Sequence, residues 1–134
     1  MPARPTRSTA TTRSTSARLS LVALPEVTAA LAKVEAYCER HVPEQYRDEM
    51  RLDASARGKA ITIVERRPPW REDYGPEWTS MRIAQMRYDP ATSCWSIFWA
   101  DRNDRWLRYP ARPARSIERI LAVIESDQSG AFFG

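Results

Sequence analysis

The chain has 134 residues, 43% of them hydrophobic and five of them tryptophan, which is the length and composition of one domain with a sizeable core. No apolar run approaches the roughly 18 residues of a membrane span, and residues 1–20 contain no apolar signal segment. The sequence therefore indicates neither a membrane-spanning nor a secreted protein. Cys38 and Cys94 fit no metal or redox spacing, so we expect reduced thiols in a cytoplasmic protein.

The net charge of +4 belongs to the start of the chain, where Arg4, Arg7, Arg13 and Arg18 are the only charged residues before Leu19. Residues 50–115 carry 13 basic and 8 acidic side chains, and the flanking segments offset this excess. A basic middle attracts anions, whereas a mixed solvated surface has no preferred partner. Residues 1–22 are rich in Ser, Thr and Arg and lack apolar periodicity, so they predict a disordered tail, able to attract nucleic acid, ahead of one domain at residues 23–134.

The first predicted element is a helix that begins near Pro25 and ends before Pro43. Its apolar residues recur at helical spacing and are Val27, Leu31, Val34 and Cys38. His41 lies at the end of this helix, where we expect it to act as a helix-terminal cation rather than a catalytic base.

From residue 50 the apolar pattern changes to period two, which predicts strands over residues 50–56, 59–66, 81–88, 94–100 and 105–109. Arg57-Gly58 is predicted to turn the first hairpin, and Arg102-Asn103-Asp104 is predicted to turn the last. Trp95 and Trp99 share a predicted strand face with Ile97, so we expect them to face the core.

A second helix is predicted after Ser116, a plausible N-cap, with an apolar stripe. The stripe consists of Ile117, Ile120, Leu121 and Ile124. Ser129-Gly130 is predicted to stop this helix, and the apolar residues 131–134 are predicted to dock on the domain. The order of helix, five strands and helix predicts an α+β fold, with an antiparallel sheet of about five strands and two helices packed on one face.

Several motifs in the middle of the chain resemble those of a known family. They are Val64-Glu65-Arg66-Arg67-Pro68-Pro69-Trp70, Gly75-Pro76-Glu77-Trp78-Thr79, Ile83-Ala84-Gln85-Met86-Arg87-Tyr88, Trp99-Ala100-Asp101-Arg102-Asn103-Asp104-Arg105-Trp106 and the closing Phe133-Gly134. With these motifs, residues 50–134 resemble a bacterial family known as domain of unknown function 3024. The resemblance implies a small bacterial cytoplasmic protein and implies no activity, ligand or catalytic residue.

Most familiar catalytic and cofactor sites lack their residues in this sequence. His41 is the only histidine, which argues against a Ser-His or Cys-His pair, and one histidine with two separated cysteines does not form the usual zinc site. Four scattered glycines form no phosphate-binding loop. We therefore predict no cofactor, no metal and no catalytic residue.

A carboxylate site on the sheet is the remaining enzyme hypothesis. Its candidate acids are Asp53, Glu65, Glu77 and Asp101. A turn at Arg57-Gly58 would place Asp53 opposite Thr62. Glu65 would then lie roughly 10 Å further along the strand and on the other face, which argues against a shared metal ion.

Arginine and aromatic residues interleave through the basic middle of the chain. The candidate ligand-binding residues are Arg66, Arg67, Trp70, Arg82, Arg87, Arg102 and Trp106. Guanidinium groups bind phosphate oxygens, and aromatic rings stack on bases. We predict a small non-catalytic binding or adaptor module that uses this surface for a protein partner or an anionic ligand. The alternatives are a single-stranded nucleic-acid-binding domain, an uncharacterised enzyme that uses the carboxylates, and a structural ion network among Arg66, Arg87, Asp101 and Glu77.

Overall fold

The computed structural model describes residues 23–69 and 75–133, which form two α-helices, a short 3-10 turn and five β-strands. In chain order they are α1 (Pro25–His41), the turn (Glu44–Tyr46), β1 (Arg51–Arg57), β2 (Ala60–Arg67), β3 (Thr79–Asp89), β4 (Cys94–Ala100), β5 (Trp106–Arg108) and α2 (Ile117–Ser126). The predicted tail at residues 1–22 lies outside the described residues.

All five strands form one antiparallel sheet in the order β1-β2-β3-β4-β5. Each strand pairs with its neighbour in the sequence, which is the arrangement that short connections favour. α1 packs against β1 and β2, α2 packs against β4, and the two helices contact each other. The prediction of an α+β fold with a five-stranded antiparallel sheet and two helices is confirmed.

Both helices begin where the sequence predicts. Pro25 occupies the first turn of α1, where its missing N–H costs no hydrogen bond. Ser116 is the N-cap of α2, and its Oγ accepts a hydrogen bond from the backbone N–H of Arg119 at 3.0 Å.

The core lies between the helices and one face of the sheet. Ile61 of β2, Ile97 of β4 and Ile124 of α2 are each at most 1% exposed, so both the sheet and the helix layer contribute to it. Trp95 is also buried and Trp99 packs partly buried against the same core, as predicted from the face that they share with Ile97.

The first hairpin differs from its predicted register by two residues. Arg57 pairs with Ala60, so the turn consists of Gly58 and Lys59 rather than Arg57-Gly58. Gly58 has a φ of +60° and takes the first central position of the turn, where a two-residue hairpin requires a positive φ. As a consequence, Asp53 lies opposite Val64 instead of Thr62.

A β-bulge interrupts the alternation of side chains along β3. Ile63 pairs with Ala84, whereas the next residue, Val64, pairs with Arg82, so Ile83 is an extra residue in β3. Ile83 and Ala84 are both buried, in place of the usual alternation of one buried and one exposed side chain. Residues of β3 before the bulge therefore face the side of the sheet opposite to the one that regular alternation from Ala84 would give them.

The last helix ends before the predicted Ser129-Gly130 stop. Asp127 adopts a left-handed conformation with a φ of 44°, which aspartate tolerates better than most residues. Its carboxylate accepts hydrogen bonds from the backbone N–H groups of Phe132 at 3.0 Å and Phe133 at 2.8 Å. The chain therefore folds back, and Phe132 is buried with its ring centroid 4.9 Å from that of Tyr109, as the predicted docking of the terminus requires.

Candidate functional site

The face of the sheet turned away from α1 and α2, here called the open face, is mainly basic. Its strand register gives it six arginines, which are Arg51, Arg57, Arg66, Arg82, Arg87 and Arg108. Within the described strands, Asp53 and Asp89 are the carboxylates on this face. No described helix packs on it, and five of the six arginines are exposed, Arg66 being partly buried.

Three of the arginines lie over aromatic rings, and we call these the arginine–aromatic pairs. The guanidinium carbon of Arg87 lies 3.7 Å from the ring centroid of Phe98. The other two pairs, Arg51 over Trp78 at 4.7 Å and Arg82 over Trp106 at 5.4 Å, are looser. These distances are in the range of cation–π attraction, which holds each guanidinium against the sheet.

Hydrogen bonds hold Arg87 in place as well. Its Nε donates to Oε1 of Gln85 at 2.6 Å, and Nε2 of Gln85 donates to Oγ1 of Thr62 on the neighbouring strand at 3.0 Å. Phe98 pairs directly with Gln85 across β3 and β4. The centre of the open face is therefore a fixed polar and aromatic surface.

Arg82 crosses an opening between β3 and β4. The two strands pair as far as Gln85 and Phe98 and then separate, which leaves a cleft of about 650 Å³. The Nε of Arg82 lies 3.6 Å from a carboxylate oxygen of Asp104, and its Nη1 donates to the Asp104 carbonyl at 3.2 Å. Arg82 is thus held from one side by Asp104 and from beneath by Trp106.

Arg66 is less completely satisfied than the other two. Its Nη1 lies 3.6 Å from a carboxylate oxygen of Asp53, a long contact between side chains that are both about half exposed. Its Nε is inaccessible to solvent and has no hydrogen-bond partner within residues 23–69 and 75–133. A buried donor without an acceptor is unfavourable, so this part of the Arg66 side chain costs stability.

The candidate residues do not all share the open face. Arg66, Arg82, Arg87 and Trp106 lie there. Arg67 lies on the helix-facing side and donates from Nε to a carboxylate oxygen of Glu65 at 2.8 Å, which raises the pKa of Arg67. Arg102 is exposed in the turn between β4 and β5, and Trp70 lies outside the described residues.

Sequence reasoning missed Phe98, Gln85 and Arg51 as components of this face. A signal for Phe98 was present, because the predicted strand at residues 94–100 places Trp95, Ile97 and Trp99 on one side. Phe98 is then the large apolar side chain on the opposite side, where a solvated sheet face would favour a polar residue.

The candidate carboxylates lie apart from one another. Asp53 is on the open face, whereas Glu65 lies opposite Leu52 on the other face, so the two are closer along the strands than predicted but still on opposite faces. Asp101 closes its turn by accepting the backbone N–H groups of Asn103 and Arg105, both at 2.9 Å, which holds the pKa of Asp101 low. Within residues 23–69 and 75–133, no three His, Cys, Asp or Glu side chains are placed to share a metal ion.

The predicted ion network among Arg66, Arg87, Asp101 and Glu77 does not form as a unit among the described residues. Arg66 contacts Asp53, and Asp101 contacts Arg105 at 3.1 Å. Arg87 donates to a neutral side chain of its own strand.

A second group of titratable side chains joins the ends of the two helices. Tyr37 donates from its hydroxyl to Oε1 of Glu125 at 2.6 Å, and Nδ1 of His41 lies 3.1 Å from the same oxygen. The His41 ring also stacks on Phe133, with ring centroids 4.4 Å apart. Burial raises the pKa of Tyr37, and the hydrogen bond from Tyr37 lowers the pKa of Glu125. These contacts tie α1 to α2 and to the end of the chain.

Fold and site together define a small α+β protein that buries one face of its sheet under helices and presents the other as an arginine-rich surface. The chain belongs to the family described as Domain of unknown function (DUF3024), which matches residues 22–134 and so includes α1 as well as the segment whose motifs resemble it. No curated protein and no solved structure matches the chain significantly. Within the described residues, no helix has both the length and the apolarity to cross a membrane.

Proposed function

We propose that this chain is a small non-catalytic binding module that holds an anionic ligand on the open face of its sheet. The observation that carries the proposal is the presence of three arginines on that face, each supported by an aromatic ring. A guanidinium held in this way keeps its N–H groups ready for phosphate or carboxylate oxygens. Because the side chains are already ordered, binding costs less conformational entropy.

The proposal includes a cytoplasmic setting. Cys38 and Cys94 are both free thiols, and the cytosol is the compartment that keeps thiols reduced. Cys38 is buried and Cys94 is partly buried on the open face, so neither depends on a disulfide for its position.

Titration with inorganic polyphosphate tests the proposal on the full-length chain. Residues 1–22 contain four arginines that would bind any polyanion, so Arg4, Arg7, Arg13 and Arg18 are first replaced by Gln. In this tail-neutral chain, we expect calorimetry to detect binding that weakens as salt is raised, because phosphate contacts release condensed counterions.

A pair of matched double variants of the tail-neutral chain locates the surface. Arg82→Gln with Arg87→Gln should raise the Kd for polyphosphate at least about tenfold, since each hydrogen bond to a charged group contributes roughly 1.5–3 kcal/mol. Arg40→Gln with Arg119→Gln removes the same charge from exposed positions on the two helices and should change the Kd by less than about threefold. An equal loss in both double variants, or no binding by the tail-neutral chain, would refute the proposal.

A further inference from the structure

We infer that the ligand of the open face is single-stranded RNA, an assignment that rests on the proposed function and specifies its ligand class. The evidence is the combination of stacking surfaces, positive charge and side-chain hydroxyl groups on one face of the sheet. Each of these features matches one part of a nucleotide.

The arginine–aromatic pairs match the bases. Phe98 lies beneath Arg87 at 3.7 Å, which leaves the other face of that guanidinium turned outward. An unpaired base stacks on a guanidinium plane as it does on an aromatic ring, and the ring below supports the stack. Arg82 over Trp106 provides a second such position next to the cleft between β3 and β4. A peptide with carboxylates but no aromatic side chains would use the charge of these arginines but would have no group to stack on them.

The open face presents strands rather than a helix, which favours a single strand over a duplex. Both described helices lie on the opposite side of the sheet, so no described helix projects from the open face into a groove. Bases in a duplex are stacked on each other and cannot stack on side chains of a sheet. Only a strand with unpaired bases uses the charge and the stacking positions together.

The polar side chains between the arginines match the ribose. Thr62, Ser96 and Gln85 lie on the open face within β2, β4 and β3, and all three are partly exposed. The Gln85 amide is engaged with Arg87 and Thr62, and the hydroxyl groups of Thr62 and Ser96 both donate and accept hydrogen bonds, as the ribose 2′-hydroxyl does. That hydroxyl distinguishes RNA from DNA, so these residues favour RNA.

The test measures fluorescence anisotropy of a labelled mixed-sequence 12-nucleotide RNA titrated with the tail-neutral, full-length chain. Parallel titrations use DNA of the same sequence, the RNA duplex, polyphosphate and poly-glutamate. We expect the single-stranded RNA to bind most tightly of the five. Phe98→Leu, which keeps an apolar side chain but removes the ring, should weaken RNA binding roughly tenfold. It should weaken polyphosphate binding by a smaller factor of about threefold, because cation–π support of Arg87 contributes less than a stacked base.

Two further variants control for folding and for general loss of aromatic residues. Phe98→Tyr keeps the ring and should retain RNA binding. Tyr46→Leu removes an aromatic side chain that is 52% exposed on the 3-10 turn and belongs to no strand, and it should have no effect. If Phe98→Leu fails to fold by circular dichroism, Trp106→Leu provides the same test at the second stacking position.

The outcomes separate the inference from the function on which it rests. Polyphosphate or poly-glutamate bound as tightly as RNA would overturn the assignment to nucleic acid while leaving an anion-binding face. Duplex RNA bound as tightly as the single-stranded RNA would overturn the assignment to a single strand. The matching DNA bound as tightly would overturn the assignment to RNA. Failure of the tail-neutral chain to bind any of the five ligands would remove the proposed function itself.

Discussion

Truncation of Ile124 in α2 tests whether the helices and the sheet share one core. Ile124 is 0% exposed and belongs to the same buried cluster as the inward side chains of β2 and β4. Ile124→Ala removes three buried methyl or methylene groups, each of which contributes about 0.8 kcal/mol of transfer free energy. The cavity that remains adds to this, so we expect the free energy of unfolding to fall by about 3–5 kcal/mol. For a domain of this size, such a loss lowers the Tm on the order of 15 °C.

The assay is thermal and urea unfolding followed by circular dichroism. Arg119→Ala, on the exposed surface of the same helix, is the control and should change the stability by less than about 0.5 kcal/mol. Leu121→Ala should fall at the low end of the range, because Leu121 also lines a cleft of about 350 Å³ between the helices, where water can fill part of the space that is left. A loss below about 1 kcal/mol for Ile124→Ala would show that α2 does not contribute to the common core.

Three further predictions concern single groups. Ser116→Ala should destabilise the protein by about 1 kcal/mol, measured by urea unfolding, because it removes the N-cap bond of α2; no change would mean that water replaces that bond. Native Cys38 should resist iodoacetamide at pH 8 while Cys94 reacts, as mass spectrometry would show, since burial raises the pKa of Cys38 to about 12; equal rates would contradict this burial. The hydrogen bond from Tyr37 lowers the pKa of Glu125. The ionised Glu125 carboxylate therefore stabilises the fold above the ordinary glutamate pKa of about 4.3, and this contribution is lost as the pH falls through the pKa of Glu125 in the folded state. Glu125→Gln should therefore lose less stability than the parent chain between pH 6 and pH 3, and an equal loss in both proteins would contradict this linkage.

The helices and strands were predictable because each leaves a local pattern. The period of apolar residues changes from helical to alternating near residue 50 and back after Ser116, and the observed elements follow those changes. The turn of the first hairpin was placed wrongly because Arg57-Gly58 and Gly58-Lys59 both contain the glycine. The positive φ of Gly58 is compatible with either position, and only the pairing of the two strands decides between them.

The regular alternation of side chains along a strand does not predict that Arg82 and Arg87 lie on the same face of the sheet. Arg82 and Arg87 are five positions apart in β3, an odd offset, so a regular strand would place them on opposite faces. The bulge at Ile83 restores them to the same face. A bulge depends on how two strands pair, not on local composition, and the sequence around Ile83 and Ala84 contains no glycine to mark one.

The uneven placement of charge gives this domain an electric dipole across its thickness. Residues 23–49 and 116–133, which contain the helices, carry nine acidic and four basic side chains, whereas the strands contribute six arginines and two carboxylates to the open face. The field of a polyanion would rotate the domain before contact, with its sheet toward the polymer and its helices away from it. Correct encounters would then be more frequent than random collision allows. This gain in association rate would fade as the Debye length shortens, from about 10 Å at 0.1 M salt to about 3 Å at 1 M.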